Sequence, residues 1–286
     1  MKRIGLVVHP SREIGHPLTT LTEWAARHDV DVVQLPARDS ARVVAPFGEV
    51  SACDLVVAIG GDGTVLTALR AAAPLATPVL GVACGSLGAL SAVTAAQVEE
   101  ALDRFDAGSW SRRELPALEA SVDGQKVAWS INDFVLVRRN MGQLIVEVTV
   151  DDELYARMAG DGVIVATALG SSAYSMAAGG PILVDGTGAF LVTPLVIHGG
   201  SAPPLIVRAG LDVTLEAHPG YGGFDVEVDG HLQEVDAVRF VLRLVEARAT
   251  LVSLGDPGLG LPALRRRGLI TDSPRVLARD ERGART

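Results

Sequence analysis

The sequence predicts an α/β N-terminal domain with a parallel sheet, followed by a mostly antiparallel β domain. Three observations carry that reading. Strand and helix signals alternate through the first third of the chain. Near Asp106-Ala107-Gly108-Ser109 the pattern switches to many short strands. Asp-Gly and Asp-Asp pairs then recur between those strands, where tight hairpins need left-handed backbone. With 286 residues, 48% of them apolar and 21% charged, the chain can bury cores of this kind.

The elements follow in order. Arg3–Val8 is a β-branched, apolar run closed by the Pro10-Ser11 loop. Leu18–His28 puts Leu18, Leu21, Ala25 and His28 on one helical face. Val30–Leu35 reads as a strand ended by Pro36, and Asp54–Ile59 as a third strand, apolar after its first residue. Ala68–Ala73 belongs to a helix that Pro74 stops, Pro78–Val82 is a fourth strand, and Thr94–Phe105 is a helix with Thr94 as its N-cap. Continuous apolar strands separated by helices indicate a parallel sheet covered on both faces. Beyond Arg112 the expected strands are Leu118–Val122, Lys126–Ile131, Phe134–Arg138, Leu144–Val150, Val163–Thr167, Phe190–Val196, Leu211–Ala217, Phe224–Val228 and Val238–Leu244. Asp123-Gly124, Asp151-Asp152 and Asp229-Gly230 are the hairpin turns, and Ser171–Ala178 is the one short helix of this half. The arginine-rich stretch from Asp256 returns to helix-like sequence and frays at its end. The expected domains are 1–108, with the tail 258–286 packing back on it, and 109–257, with no sheet continuous through both.

Composition removes several classes of function. A formal net charge of -9 argues against wrapping nucleic acid and against a polybasic membrane contact. Two cysteines, Cys53 and Cys84, support neither a disulfide framework nor a structural zinc site. Mean hydropathy is positive, at +0.31. Between Asp161 and Arg208, Asp185 is the only Asp, Glu, Lys or Arg, but the stretch is interrupted by Gly170, Gly179, Pro181, Pro194 and Pro203, among others. A spanning helix would not be broken so often; this reads as buried, glycine-rich backbone around a site. The apolar run after Met1 is too short for a signal peptide, so the cytoplasm is the expected compartment.

Gly60-Gly61-Asp62-Gly63-Thr64 carries the strongest chemical signal. It follows a buried strand and opens a helix, which places free N–H groups at the carboxyl end of a parallel strand, a site suited to phosphate. Asp62 there can align or deprotonate a hydroxyl, or help hold Mg²⁺. The plainer account is a glycine turn with Asp62 as N-cap; three glycines in four positions weigh against it. A Walker loop is absent, and the chain has two lysines, Lys2 and Lys126. Asn132-Asp133 offers an amide and a carboxylate side by side, enough to hold an adenosine, although such a pair often marks only a turn. Gly160–Thr167 runs into Ala168–Ser175, a strand, a glycine turn and a serine-rich helix start, which suits a nucleotide as well as it suits a simple capped helix.

In this order, Gly60–Thr64, Asn132-Asp133 and Asp161–Ser175 with Ala178-Gly179-Gly180-Pro181 resemble the NAD kinase family, from Arg3 to the Val228-Asp229-Gly230 turn. GGDGT is shared with lipid kinases and phosphofructokinases; the long third block points to the NAD kinase branch. The resemblance implies transfer of the γ-phosphoryl of ATP, or of polyphosphate in some members, to the adenosine 2′-hydroxyl of NAD with Mg²⁺. It implies a site between the two domains, closed in many members by a neighbouring subunit of a homodimer or homotetramer. By motif, Asp62 acts on the ribose hydroxyl, and Gly60, Gly61, Gly63 and Thr64 line the phosphates. Asn132 and Asp133 bind the adenosine part, and Asp161, Ser172, Ala173 and Tyr174 line the dinucleotide pocket. No set of metal ligands is implied.

Some positions depart from the family pattern. Asp133 stands for a glutamate, Ala83 for an amide, Ala89 for an aromatic, Ala168-Leu169 for Pro-Thr, and the segment Ile197–Pro204 keeps His198 but lacks an arginine at Pro203. Sites built on polar contacts discriminate strongly through them. These losses leave the phosphoryl-transfer centre intact. They point to an alternative in which the same fold phosphorylates a nucleoside, a nucleotide or a specialised metabolite. A regulator without turnover is disfavoured, since it has no need of Asp62.

Overall fold

In a computed structural model of the chain, residues 1–36, 42–85, 87–255 and 261–283 are described. β1 (Arg3–Val8), β2 (Asp31–Gln34), β3 (Leu55–Gly60) and β4 (Val79–Ala83) lie parallel in the order β4-β3-β1-β2. Alternation along β3 sends Val57 and Ile59 to one face and Val56 and Ala58 to the other. On the first face pack α1 (Gly15–Arg27) and α3 (Val98–Asp106), through Leu21, Trp24, Val98 and Leu102. On the second packs α2 (Asp62–Ala72), through Val65, Ala68, Leu69 and Ala72. The short β5 (Val93–Thr94) adds to β4 and leads into a single 3₁₀ turn, where Thr94 forms a capping box with Gln97.

The second half is a β sandwich. Its strands are β6 (Ser111–Val122), β7 (Gln125–Ser130), β8 (Asp133–Arg138), β9 (Leu144–Val150), β10 (Glu153–Gly160), β11 (Gly162–Ala166), β12 (Ala189–Leu195), β13 (Leu205–Arg208), β14 (Asp212–Pro219), β15 (Phe224–Val228), β16 (His231–Gln233) and β17 (Arg239–Ser253). α4 (Tyr174–Ala177) interrupts them; α5 (Leu261–Arg266) and α6 (Pro274–Gly283) follow. One sheet runs β13-β12-β11-β8-β15-β16, antiparallel throughout. Its Phe134, Leu136, Val165, Phe190 and Val228 pack on Val146, Val148, Leu215, Phe240 and Leu242 of the facing layer. The three expected hairpin turns are present. Both central residues of each have positive φ: 49° and 76° at Asp123-Gly124, 49° and 67° at Asp151-Asp152, 49° and 76° at Asp229-Gly230. That geometry matches the right-handed twist of the flanking strands.

One expectation is corrected. The halves do not hold separate sheets, because β17 belongs to both. Its first part pairs antiparallel with β14 and β6; then the register shifts between Val245 and Ala249, with Ala247 at φ 51°, and Leu251 pairs in parallel with Val79 of β4. The facing layer of the sandwich and the parallel sheet are therefore one 11-stranded sheet. The extra residues of this bulge redirect the strand from one pairing to the other. At the tail, α5 buries Leu264, while the described residues of α6 up to Asp280 are exposed. Residues 256–260 and 284–286 of the expected tail lie outside the described residues. Among the described residues no helix is long and apolar enough to cross a membrane.

Candidate active site

β3 ends at Gly60, Gly61 is the N-cap of α2, and Asp62 is its first residue. A Cβ on Gly60 would stand 2.2 Å from Thr64 Oγ1, so only glycine fits where strand turns into helix. Thr64 is buried, its amide donates to Gly61 O at 2.9 Å, and its side chain underpins Gly60; it shapes the turn from below. Gly63 is exposed, with open space where a Cβ would be. Gly61, not Asp62, is the N-cap. The Asp62 carboxylate reaches to the loop after β4, accepting from Ala89 N at 3.0 Å and Leu90 N at 3.1 Å. Gly88 permits this: a Cβ there would lie 2.0 Å from Asp62 Oδ1.

Sequence reasoning missed a cation at this turn. Arg12, exposed in the loop after β1, sets its Nη1 3.3 Å from the position a Gly61 Cβ would take. The loop is built to hold it. His9 Nδ1 accepts from Ser11 N at 3.2 Å and Arg12 N at 3.1 Å, and Arg42 Nη1 donates to Arg12 O at 2.7 Å. Burial, then Arg12 and Arg42, push the His9 pKa down, which keeps the ring a neutral acceptor. Ser11 and Arg12 follow a strand without any glycine motif, so no local pattern marks them.

The second and third motifs are locked together by backbone. Asn132 O accepts from Thr167 N at 2.9 Å, Thr167 Oγ1 donates to Ile131 O at 2.6 Å, and Gly170 N donates back to Thr167 Oγ1 at 3.1 Å. Gly170 must be glycine, since a Cβ would stand 2.0 Å from Asn132 O. Asp229, read from sequence only as a turn residue, is the hub. Its carboxylate accepts from Ile131 N (3.2 Å), Asn132 N (2.7 Å) and Asp133 N (3.3 Å), and Arg70 Nε of α2 lies 3.8 Å away. A bond between Arg70 and the Val228 carbonyl adds a second tie between the domains, at 3.4 Å.

Asp133 is 4% exposed, and burial, then the charges of Asp229 and Glu227, push its pKa up to about 7. Asp161 pairs with Arg138 Nε at 2.5 Å. Tyr174 is half exposed; burial, then the charges of Glu227, Asp133 and Asp161, raise its pKa. Ser172 Oγ donates to Leu169 O at 3.1 Å, and Ala173 joins a 3₁₀ turn to α4. Among the departed positions, Ala83 is buried in β4 opposite Gly60, and Leu169 packs against the core under α2. His198 is exposed and bonds Gln143 through Nδ1 at 2.9 Å.

No cluster of three or more His, Cys, Asp or Glu fit to hold a metal exists among the described residues. Mg²⁺ bound mainly through phosphate oxygens and water needs only one or two carboxylates, and Asp62 at the helix mouth fits that need.

Comparison with known proteins decides the family. Residues 19–109 match the ATP-NAD kinase N-terminal domain and residues 131–244 the ATP-NAD kinase C-terminal domain. The chain belongs to the NAD kinase family. It is therefore an ATP-dependent kinase by family. The NAD kinase of Desulforamulus reducens is 33% identical over 87% of this chain and 91% of its own; that of Symbiobacterium thermophilum is 37% identical over 70% and 74%. Among solved structures, yeast NADH kinase complexed with NADH has a TM-score of 0.79 at 21% identity, covering 96% of this chain and 89% of its own. An NAD kinase from Archaeoglobus fulgidus in complex with ATP has a TM-score of 0.73, also at 21% identity, covering 94% of this chain and all of its own. At that identity the likeness establishes the two-domain NAD kinase fold.

Proposed function

We propose that this NAD kinase transfers the γ-phosphoryl of ATP to the 2′-hydroxyl of the adenosine ribose of NAD, giving NADP and ADP. The observation that carries the assignment of roles is the Asp62 carboxylate, fixed by two loop amides beside an open glycine turn. The first N–H groups of α2 and Arg12 face the donor phosphates, with Gly61 and Gly63 allowing close approach. Thr64 and Gly60 serve by shaping that turn. Asp62 accepts the proton of the attacking hydroxyl as the new P–O bond forms and the bond to the ADP oxygen breaks. Mg²⁺, held by the phosphates and Asp62, would neutralise charge on the triphosphate.

Asn132 and Asp133 hold the adenosine, and Asp161, Ser172, Ala173 and Tyr174 line the rest of the acceptor pocket. The domains act as 1–108 with the tail, and 109–257. Assembly as a homodimer or homotetramer belongs to this reading; edge strand β13 leaves Ile206 exposed. A cytoplasmic setting supplies both substrates.

The test is steady-state kinetics with ATP and Mg²⁺ against NAD, NADH and nucleosides. Asp62→Asn should stay folded and lose about 10²-fold or more in kcat. Arg12→Ala should raise KM for ATP about tenfold with little change for NAD, the loss of one charged contact, and Arg12→Lys should restore part of it. A folded Asp62→Asn variant with normal kcat would remove Asp62 from the mechanism. A nucleoside preferred over NAD would overturn the acceptor.

A further inference from the structure

We propose that the cavity on the far side of the loop clamping Asp62 is a second ligand site. It takes a small monoanion with an apolar body, and its occupancy moves the clamp. The cavity holds about 380 Å³, inside the range of ~300–1,000 Å³ typical of small-molecule sites. Its walls come from α3, α5, the end of β17, the 182–185 segment and the loop 87–93. Asp62, Asn132, Asp133, Asp161 and Tyr174 are not among its lining residues, although Leu169 and Ser172 are.

Three features point to an occupant of this chemistry. Most of the wall is aliphatic, through residues such as Leu90, Val93, Ile182 and Leu264. Ser91 lines the space, and its Oγ lies sealed beneath the wall without a hydrogen-bond partner among the described residues, a polar atom that a ligand reaches once the loop shifts. Of the charged lining residues, Arg113 is paired with Asp185 at 2.5 Å; the rest, Arg104, Arg266 and Glu100, leave one net positive charge. A carboxylate or sulfonate complements that balance, and an uncharged or cationic ligand does not.

The coupling runs through one loop with two faces. Ala89 N and Leu90 N hold Asp62, while the Ala89 carbonyl accepts from Arg113 Nη1 at 3.0 Å. The same guanidinium holds Asp185 on the cavity wall. An apolar body pressed on Leu90, or an anion held by Arg104 and Arg266 that repels Asp185 from Arg113, displaces the peptide units that fix the Asp62 carboxylate. A ligand shifts such an arrangement only by its unequal affinity for the two positions of the loop.

The experiment titrates the full chain with 8-anilino-1-naphthalenesulfonate, followed by fluorescence, and then competes it with decanoate and with decanol. Saturable binding at one site per chain is expected, displaced by decanoate more readily than by decanol. Ala263→Trp, which fills the cavity from α5, and the double variant Arg104→Gln with Arg266→Gln should each weaken it about tenfold. Both should leave KM for ATP and NAD unchanged. Decanoate should alter the kcat of wild type at saturating substrates and not that of the variants. Binding that saturating NAD abolishes would make the cavity part of the acceptor pocket and overturn the proposal. So would binding insensitive to both variants, no saturable binding at all, or binding without any change in kcat. The fluorescence readout needs no turnover, so its failure is separate from failure of the kinase assignment.

Discussion

Asp133 at the start of β8 and Asp229 in the turn after β15 are two buried carboxyls, and they differ in what surrounds them. Burial raises both, but Asp229 is opposed by three amide donors and by Arg70, while no donor to the Asp133 carboxyl is seen among the described residues. Asp133 is therefore the member that takes a proton. Its ordinary value of 3.8 is raised to about 7 in the folded chain. The folded state then binds more protons than the unfolded state between those values, so the stability linked to this group falls as pH rises through that window and stays low above it. Asp133→Asn should be more stable than wild type at pH 8, with the gain shrinking as pH falls toward 4. Melting temperature against pH measures this; a gain independent of pH would assign the titration elsewhere. The same shift gives Asp133 a double use near neutrality, since the protonated acid can donate to a ring nitrogen and the carboxylate can accept from ribose hydroxyls.

At the level of elements, the loop after β4 and the mouth of α2 form one unit. Gly88→Ala should leave the fold intact, because the clash falls on the movable end of Asp62 rather than on backbone. It should still cut kcat by about tenfold or more by pushing the carboxylate off its amides. Normal kcat in this variant would show that the clamp does not set the position of Asp62. The GGDGT turn was legible from residues because all its parts are adjacent in the chain. The rest of the unit was not, since Gly88, Arg12 and Asp229 reach the site from other loops and look like ordinary turn residues where they stand. Strands showed the same division. Leu144–Val150 and Phe224–Val228 read correctly to the residue, as β-branched runs between left-handed turns. β10 was missed because Glu153, Arg157 and Gly160 blur its alternation, and β17 was cut short at Leu244 because Glu246-Ala247-Arg248 break the period where the strand bulges.

Across the whole molecule, β17 ties the halves into one folding unit. Phe240 and Leu242 sit in the sandwich core, Leu251 in the core under α2, and Val252 in the core under α1 and α3. Calorimetry should show a single unfolding transition. Leu251→Ala, at a position 2% exposed, should lower it by about 2–5 kcal/mol without splitting it. Two resolved transitions would show that the halves unfold independently despite the shared strand.

The shared strand also imposes an order of events during synthesis. Residues 1–108 emerge from the ribosome before β17, with α1, α2, α3 and the five parallel strands β1 to β5, yet the β4 edge at Val79, beyond the β5 pairing at Val82 and Ala83, stays bare until Leu251 has been made. For all of that interval the nascent N-terminal half carries an open strand edge, of the kind that recruits wrong partners. The parallel sheet, translated well before β17, is thus completed only when that strand arrives.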